Sequence, residues 1–151
     1  MEEKETNSAA GGCEIGTRFE ARLACVPAAT ACLVAGMHAA GADPEAVLRA
    51  ELILEELVRN TILHGYRGDS AQPLWIAPDA NGFCYADAAP PFNPLADGPS
   101  ASLTAPNPAR PVADQHVGGA GLPLIRQLSS SIVYEWVAGC NRLRVAVAAG
   151  P

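Results

Sequence analysis

The segment from Asp43 to His64 constrains this chain more than any other. Asp43-Pro44-Glu45 is a strong helix start: a capping side chain, a proline at the first helical position and an acid near the positive end of the helix dipole. Gly65 and the Gly68-Asp69 pair end the helix. On a helical wheel Ala50, Leu54, Val58 and Thr61 occupy one side. Leu52, Ile53, Leu57 and Leu63 flank the other, and the solvated arc shrinks to Glu51, Glu55 and Arg59. A helix apolar around most of its circumference must be largely buried, so the rest of the chain has to supply the layers that cover it.

Within that apolar surface runs one polar stripe, Glu56, Asn60 and His64 at i, i+4 and i+8. A carboxylate and an amide held there need partners, and a bound polar ligand would supply them. On the helix alone, a solvated or structural role for Glu56 and His64 stands equally beside that reading. Asn60 is more telling. Asparagine is a poor helix-interior residue because its amide competes for backbone groups, and its oxygen is a hard ligand suited to Mg²⁺.

Around this helix the pattern is regular. Phe19, Ala21 and Leu23 alternate with Arg18, Glu20 and Arg22, as in a strand at or near a sheet edge. Pro27 opens an alanine-rich helix to about Ala40, closed by Gly41. Leu74 to Ala77 and Phe83 to Asp87 form a hairpin turned across Asp79-Ala80-Asn81-Gly82. After a proline-rich stretch, Gly118-Gly119-Ala120-Gly121 leads into a short helix from Leu122 to Leu128. Ile132 to Val137 and Leu143 to Val147 make a second hairpin, turned near Gly139-Cys140-Asn141. Strand, helix, helix, hairpin, loop, helix, hairpin is the order of an α+β two-layer sandwich, a mixed, mostly antiparallel sheet with helices on one face. The 151 residues fit one domain over 17–151, preceded by a flexible tail over 1–16 and carrying a lid loop over about 88–118.

Composition excludes several classes. The net charge of −6 and the scattered arginines, with Lys4 the single lysine, leave no basic face for nucleic acid. No apolar run reaches the length of a membrane span. The five cysteines include no C-x-x-C pair, which argues against a zinc site or a disulfide framework and for a reducing, cytoplasmic compartment.

Glu56-Leu57-Val58-Arg59-Asn60-Thr61-Ile62-Leu63-His64-Gly65-Tyr66 resembles the asparagine box of the ATPases and kinases that include gyrase, histidine kinases and MutL. The E-x-x-x-N-x-x-x-H-G-Y form is closest to the anti-sigma-factor serine kinases. Asp87-Ala88-Ala89-Pro90-Pro91-Phe92-Asn93-Pro94 is similar to that family's D-x-G-x-x-F-D-P segment, and Gly119-Ala120-Gly121-Leu122-Pro123-Leu124-Ile125 to its lid-closing G-x-G-L-x-L-I segment. By itself, Asp87 reads as a hydrogen-bonded turn aspartate, and the glycines as a linker or helix cap.

The resemblance implies ATP and Mg²⁺ as ligands. It makes Glu56 the base, Asn60 the Mg²⁺ ligand, Asp87 the acceptor of the adenine amino group, and His64, Ala89, Gly119, Gly121 and Leu122 further nucleotide-binding positions. It implies a serine/threonine protein kinase acting on a small antagonist protein and binding a sigma factor, in a family that often dimerises. Ala89 stands where the family has glycine, Asn93 where it often has aspartate, and Pro123 removes one phosphate donor. These departures sustain an alternative, a module that binds nucleotide and partner without transferring phosphate. Arg110 and Arg126 are read as solvated surface arginines.

Overall fold

The computed structural model describes residues 13–95 and 121–148. Five strands form one open sheet: β1 (Thr17–Glu20), β2 (Pro73–Pro78), β3 (Gly82–Asp87), β4 (Ser131–Val137) and β5 (Cys140–Ala146), in the order β1-β2-β3-β5-β4. Every pairing is antiparallel, so the parallel component of the expected mixed sheet is not found among the described residues. The helices are α1 (Val26–Ala39), α2 (Pro44–Asn60) and α3 (Gly121–Leu128).

The long helix begins as its sequence dictates. Asp43 Oδ2 accepts from the amides of Glu45 and Ala46 at 3.0 and 3.2 Å, and Pro44 fills the first helical position. Its buried residues, Ala46, Val47, Ala50, Ile53, Leu54, Leu57 and Val58, pack on the sheet and on α1. Full burial of each large side chain among them contributes about 1.5–3 kcal/mol. On α1, Ala29, Leu33 and Met37 recur at four-residue spacing and are fully buried. Gly36 lets this helix close on the sheet, because a Cβ there would stand 2.6 Å from Pro78 Cγ.

Register sets what faces the core. One cross-strand row runs Phe19, Leu74, Asp87, Asn141 and Trp136, and the next runs Thr17, Ile76, Tyr85, Leu143 and Tyr134, with Trp136 and Thr17 exposed on the edge strands. The Asp79–Gly82 turn forms as expected, with Asp79 N donating to Gly82 O at 2.9 Å and Asn81 N to Asp79 Oδ1 at 2.7 Å.

The second hairpin turns one residue earlier than its sequence suggests. Val137 pairs with Cys140, and Ala138 and Gly139 form the loop at φ 55° and 79°. Positive φ at both positions matches the right-handed twist of the strands. Asn141 therefore lies within β5, not in the turn.

Cysteine pairing differs from expectation. Cys13 and Cys140 form a disulfide across a sequence separation of 127 residues, and with Ile15, Trp75 and Ala86 they make a second apolar cluster. The expected tail over 1–16 is thus packed from Cys13 onward, and Met1 to Gly12 lie outside the described residues. Cys25, Cys32 and Cys84 are free thiols, and burial pushes the Cys25 thiol up. No helix among the described residues is long and apolar enough to cross a membrane.

Candidate functional site

The asparagine-box helix ends differently from a plain α-helix. Regular α2 stops at Asn60, and Thr61–Gly65 continue it as a single π turn, closed by Tyr66 N on Thr61 O at 2.8 Å. In an unbroken α-helix His64 would stand about 40° further round than Asn60, toward the buried side. The wider turn holds it back, and His64 is exposed.

Glu56 and Asn60 are partly buried on this helix, one turn apart, and neither side chain has a hydrogen bond or ion pair among the described residues. Their solvated neighbours behave otherwise: Glu55 and Arg59 pair across the helix surface at 3.3 Å. Of the three stripe residues, Glu56 and Asn60 are the ones held partly buried without a partner among the described residues.

Next to them lies a closed polar network. Asp87, at the end of β3, is 5% exposed. Its Oδ2 accepts from Thr61 Oγ1 at 2.8 Å, and its Oδ1 accepts from Asn141 Nδ2 at 2.8 Å and from the Ala89 amide at 3.1 Å. Thr61 Oγ1 also meets the fully buried Tyr85 hydroxyl. Thr61 gives its single proton to Asp87, which leaves the Tyr85 hydroxyl to share its own between Thr61 Oγ1 and Leu57 O. Burial raises the Asp87 carboxyl above the usual aspartate range, against the lowering effect of its three donors.

Tyr66, last residue of the box, braces the same corner. Its hydroxyl donates to Pro73 O at 2.7 Å and accepts from Ala88 N at 2.8 Å, so it ties the start of β2 to the residue after Asp87. Burial pushes this phenol up to about 12, which keeps the donor protonated at any ordinary pH.

Asn141 is the residue that sequence reasoning missed. Besides Asp87, its Nδ2 lies 3.1 and 3.0 Å from the carbonyls of Ala89 and Pro90, and its Oδ1 accepts from Phe92 N at 2.9 Å and Tyr134 Oη at 2.7 Å. The signal was the inward alternation Asn141, Leu143, Val145, which puts an amide at a core position. Thr61 shares its side of the helical wheel with Ala50, Leu54 and Val58 and is buried with them, but its polar role needs Asp87 opposite it.

Ala89 fits the site without backbone strain, since it is not among the residues with positive φ. Its methyl is buried and turned toward Gly65, where an added Cβ would stand 2.8 Å from it. Glycine at 65 thus makes the room that alanine at 89 uses.

Beyond this corner, Pro94 and Leu95 meet α3, where Leu57, Ile125 and Leu143 line a narrow apolar cleft. Arg126 is not the solvated arginine expected. It is partly buried, its guanidinium reaches Pro94 O at 3.5 Å, and its Nε is buried with no hydrogen-bond partner among the described residues. Gly121 opens α3 as expected, and Pro123 stands exposed in its first turn. The Leu122 side chain lies outside the described residues. Gly119, Arg110 and the 96–118 part of the lid loop lie outside the described residues.

The arrangement offers a buried carboxylate with acceptor capacity at one end and, at the other, an amide and a carboxylate without partners among the described residues. No curated protein matches the chain. The histidine kinase-like ATPase domain family does match it, over residues 19–147. That span contains all three helices and all but the first two residues of the sheet, together with Glu56, Asn60, Asp87 and Asn141, and the chain belongs to the histidine kinase-like ATPase domain family.

Proposed function

We propose that this ATPase-domain protein is a serine/threonine kinase of the anti-sigma-factor type, which transfers the γ-phosphoryl group of ATP to a small antagonist protein and binds a sigma factor. The observation that carries this reading is the pair Glu56 and Asn60, one helical turn apart and without side-chain partners among the described residues, beside the Thr61–Asp87 corner.

The residues fit a magnesium nucleotide. Asp87 retains acceptor capacity for an amino group of the base, and the Asn60 amide oxygen would hold Mg²⁺. When bound, the ion neutralises charge on the phosphates. Glu56 orients the attacking hydroxyl and accepts its proton. The new bond joins the hydroxyl oxygen to the γ-phosphorus, the bond from that phosphorus to the β,γ-bridging oxygen breaks, and ADP leaves. Ala89 keeps the Asp87 corner intact because its methyl packs toward Gly65, which removes one ground for a module that binds without transfer.

The test is single-turnover phosphorylation of candidate antagonist proteins with labelled Mg-ATP, the modified residue being located by mass spectrometry. Wild type is expected to label a serine or threonine. Glu56→Gln should retain ATP affinity and lose about 10²- to 10⁴-fold in transfer. A wild-type protein that binds Mg-ATP but labels none of the antagonists would leave nucleotide-dependent partner binding as the function.

A further inference from the structure

The donors around Asp87 are distributed unevenly. A carboxylate has about four lone-pair sites, two on each oxygen. Oδ1 already receives two donors, Asn141 Nδ2 at 2.8 Å and Ala89 N at 3.1 Å, while Oδ2 receives one, Thr61 Oγ1 at 2.8 Å. Among the described residues, only Oδ2 keeps a free site. The Asn141 amide is itself fixed: carbonyl oxygens of Ala89 and Pro90 surround its nitrogen, and Phe92 N and Tyr134 Oη donate to its oxygen. A flipped amide would set acceptor against acceptor and donor against donor, so one orientation holds.

We infer that Asn141 is a positioning residue that sets the base specificity of the nucleotide site. By filling Oδ1 it leaves Oδ2, on the Thr61 side and next to Asn60 in the chain, as the one acceptor for the 6-amino group of a purine. This rests on the ATP-site reading above. A 6-oxo purine would face Oδ2 with a second acceptor and be rejected. Without the Asn141 amide the carboxylate keeps only the Thr61 and Ala89 donors, Oδ1 takes water at its vacated site, and the carboxylate is held less firmly, so the amino group loses its fixed partner. The phosphate end of the site, at Asn60, is untouched by that loss.

The experiment compares calorimetric affinities for ATP and for purine riboside triphosphate, which lacks the 6-amino group, in wild type and Asn141→Ala. Wild type is expected to prefer ATP by about 10- to 100-fold, the effect of one hydrogen bond to a charged acceptor. In Asn141→Ala the two affinities should converge to within about threefold, with ATP weakened and the analogue unchanged. A merely structural role would weaken both together. An unchanged ratio in a variant with native near-UV circular dichroism overturns the inference, as does a wild type with no preference for ATP. If the alanine variant does not fold, Asn141→Ser, a shorter donor, decides: an intermediate ratio supports the inference and a wild-type ratio overturns it. Wild type binding neither triphosphate would overturn the ATP-site reading instead.

Discussion

Asp87 and Asn141 stand directly opposite each other on neighbouring antiparallel strands, and the Asn141 amide donates to the Asp87 carboxylate at 2.8 Å. The contact is cross-strand and inward, so it joins the end of β3 to the start of β5 under the loop that follows Asp87. It also explains how a carboxylate only 5% exposed is retained. Three donors supply what water no longer does.

That balance has a pH signature. The folded carboxyl of Asp87 is raised by burial, so its charged form is disfavoured in the fold relative to the unfolded chain. Its contribution to stability is therefore present below the ordinary aspartate value of about 3.9 and lost as pH rises through the raised folded value. Asp87→Asn cannot titrate. Urea melts from pH 7 down to pH 4 should show wild type gaining stability relative to Asp87→Asn, and a difference independent of pH would contradict the raised carboxyl.

Asn60 and Asp87 should fail in different ways. Asn60→Ala is expected to weaken Mg-ATP binding by removing the oxygen offered to the ion, and EDTA added to wild type should mimic it. Asp87→Asn should weaken binding both with and without EDTA, because it acts at the base. Titrations of the three proteins with ATP, with and without chelator, check this.

Gly65 and Ala89 form a coupled pair. A Cβ at position 65 would stand 2.8 Å from the Ala89 methyl, so Gly65→Ala should destabilise the fold by about 1–3 kcal/mol. Adding Ala89→Gly should recover most of that loss. Additive effects in the double-mutant cycle would mean that the two methyl groups do not meet.

Ala138 occupies the left-handed region at φ 55°, in a turn where its neighbour Gly139 is also left-handed. Such a conformation costs an L-residue about 1–2 kcal/mol, part of which glycine returns through its greater freedom when unfolded. Ala138→Gly is expected to stabilise by about 0.5–1 kcal/mol in thermal melts, with nucleotide affinity unchanged.

The disulfide is open to a direct count. Denatured without reductant after oxidative purification, the protein should expose three titratable thiols, those of Cys25, Cys32 and Cys84, and five after reduction. Five without reduction would mean that Cys13 and Cys140 are unpaired under those conditions. Closing a loop this long favours the fold by up to about 5 kcal/mol in the chain-entropy account, so Cys13→Ser should lower the melting temperature of the oxidised protein.

Much of this architecture was written locally. Asp43-Pro44-Glu45 starts its helix with contacts that span three residues, Asp79 to Gly82 close their hairpin within four, and the first strand carries its own alternation about Phe19, so these elements need nothing distant to be legible. The E-x-x-x-N spacing likewise placed Glu56 and Asn60 a turn apart on one helix. Tertiary structure decided what depends on residues far apart in the chain. The Cys13–Cys140 pairing joins residues separated by 127 positions, which no spacing rule anticipates. Arg126 left the solvent only because Pro94 folded back against α3. Asn141 looked like a turn residue until Ala138 took the left-handed conformation and moved the turn back by one. A one-residue shift reverses which way every side chain of a strand points, and here it carried an amide out of a loop and onto Asp87.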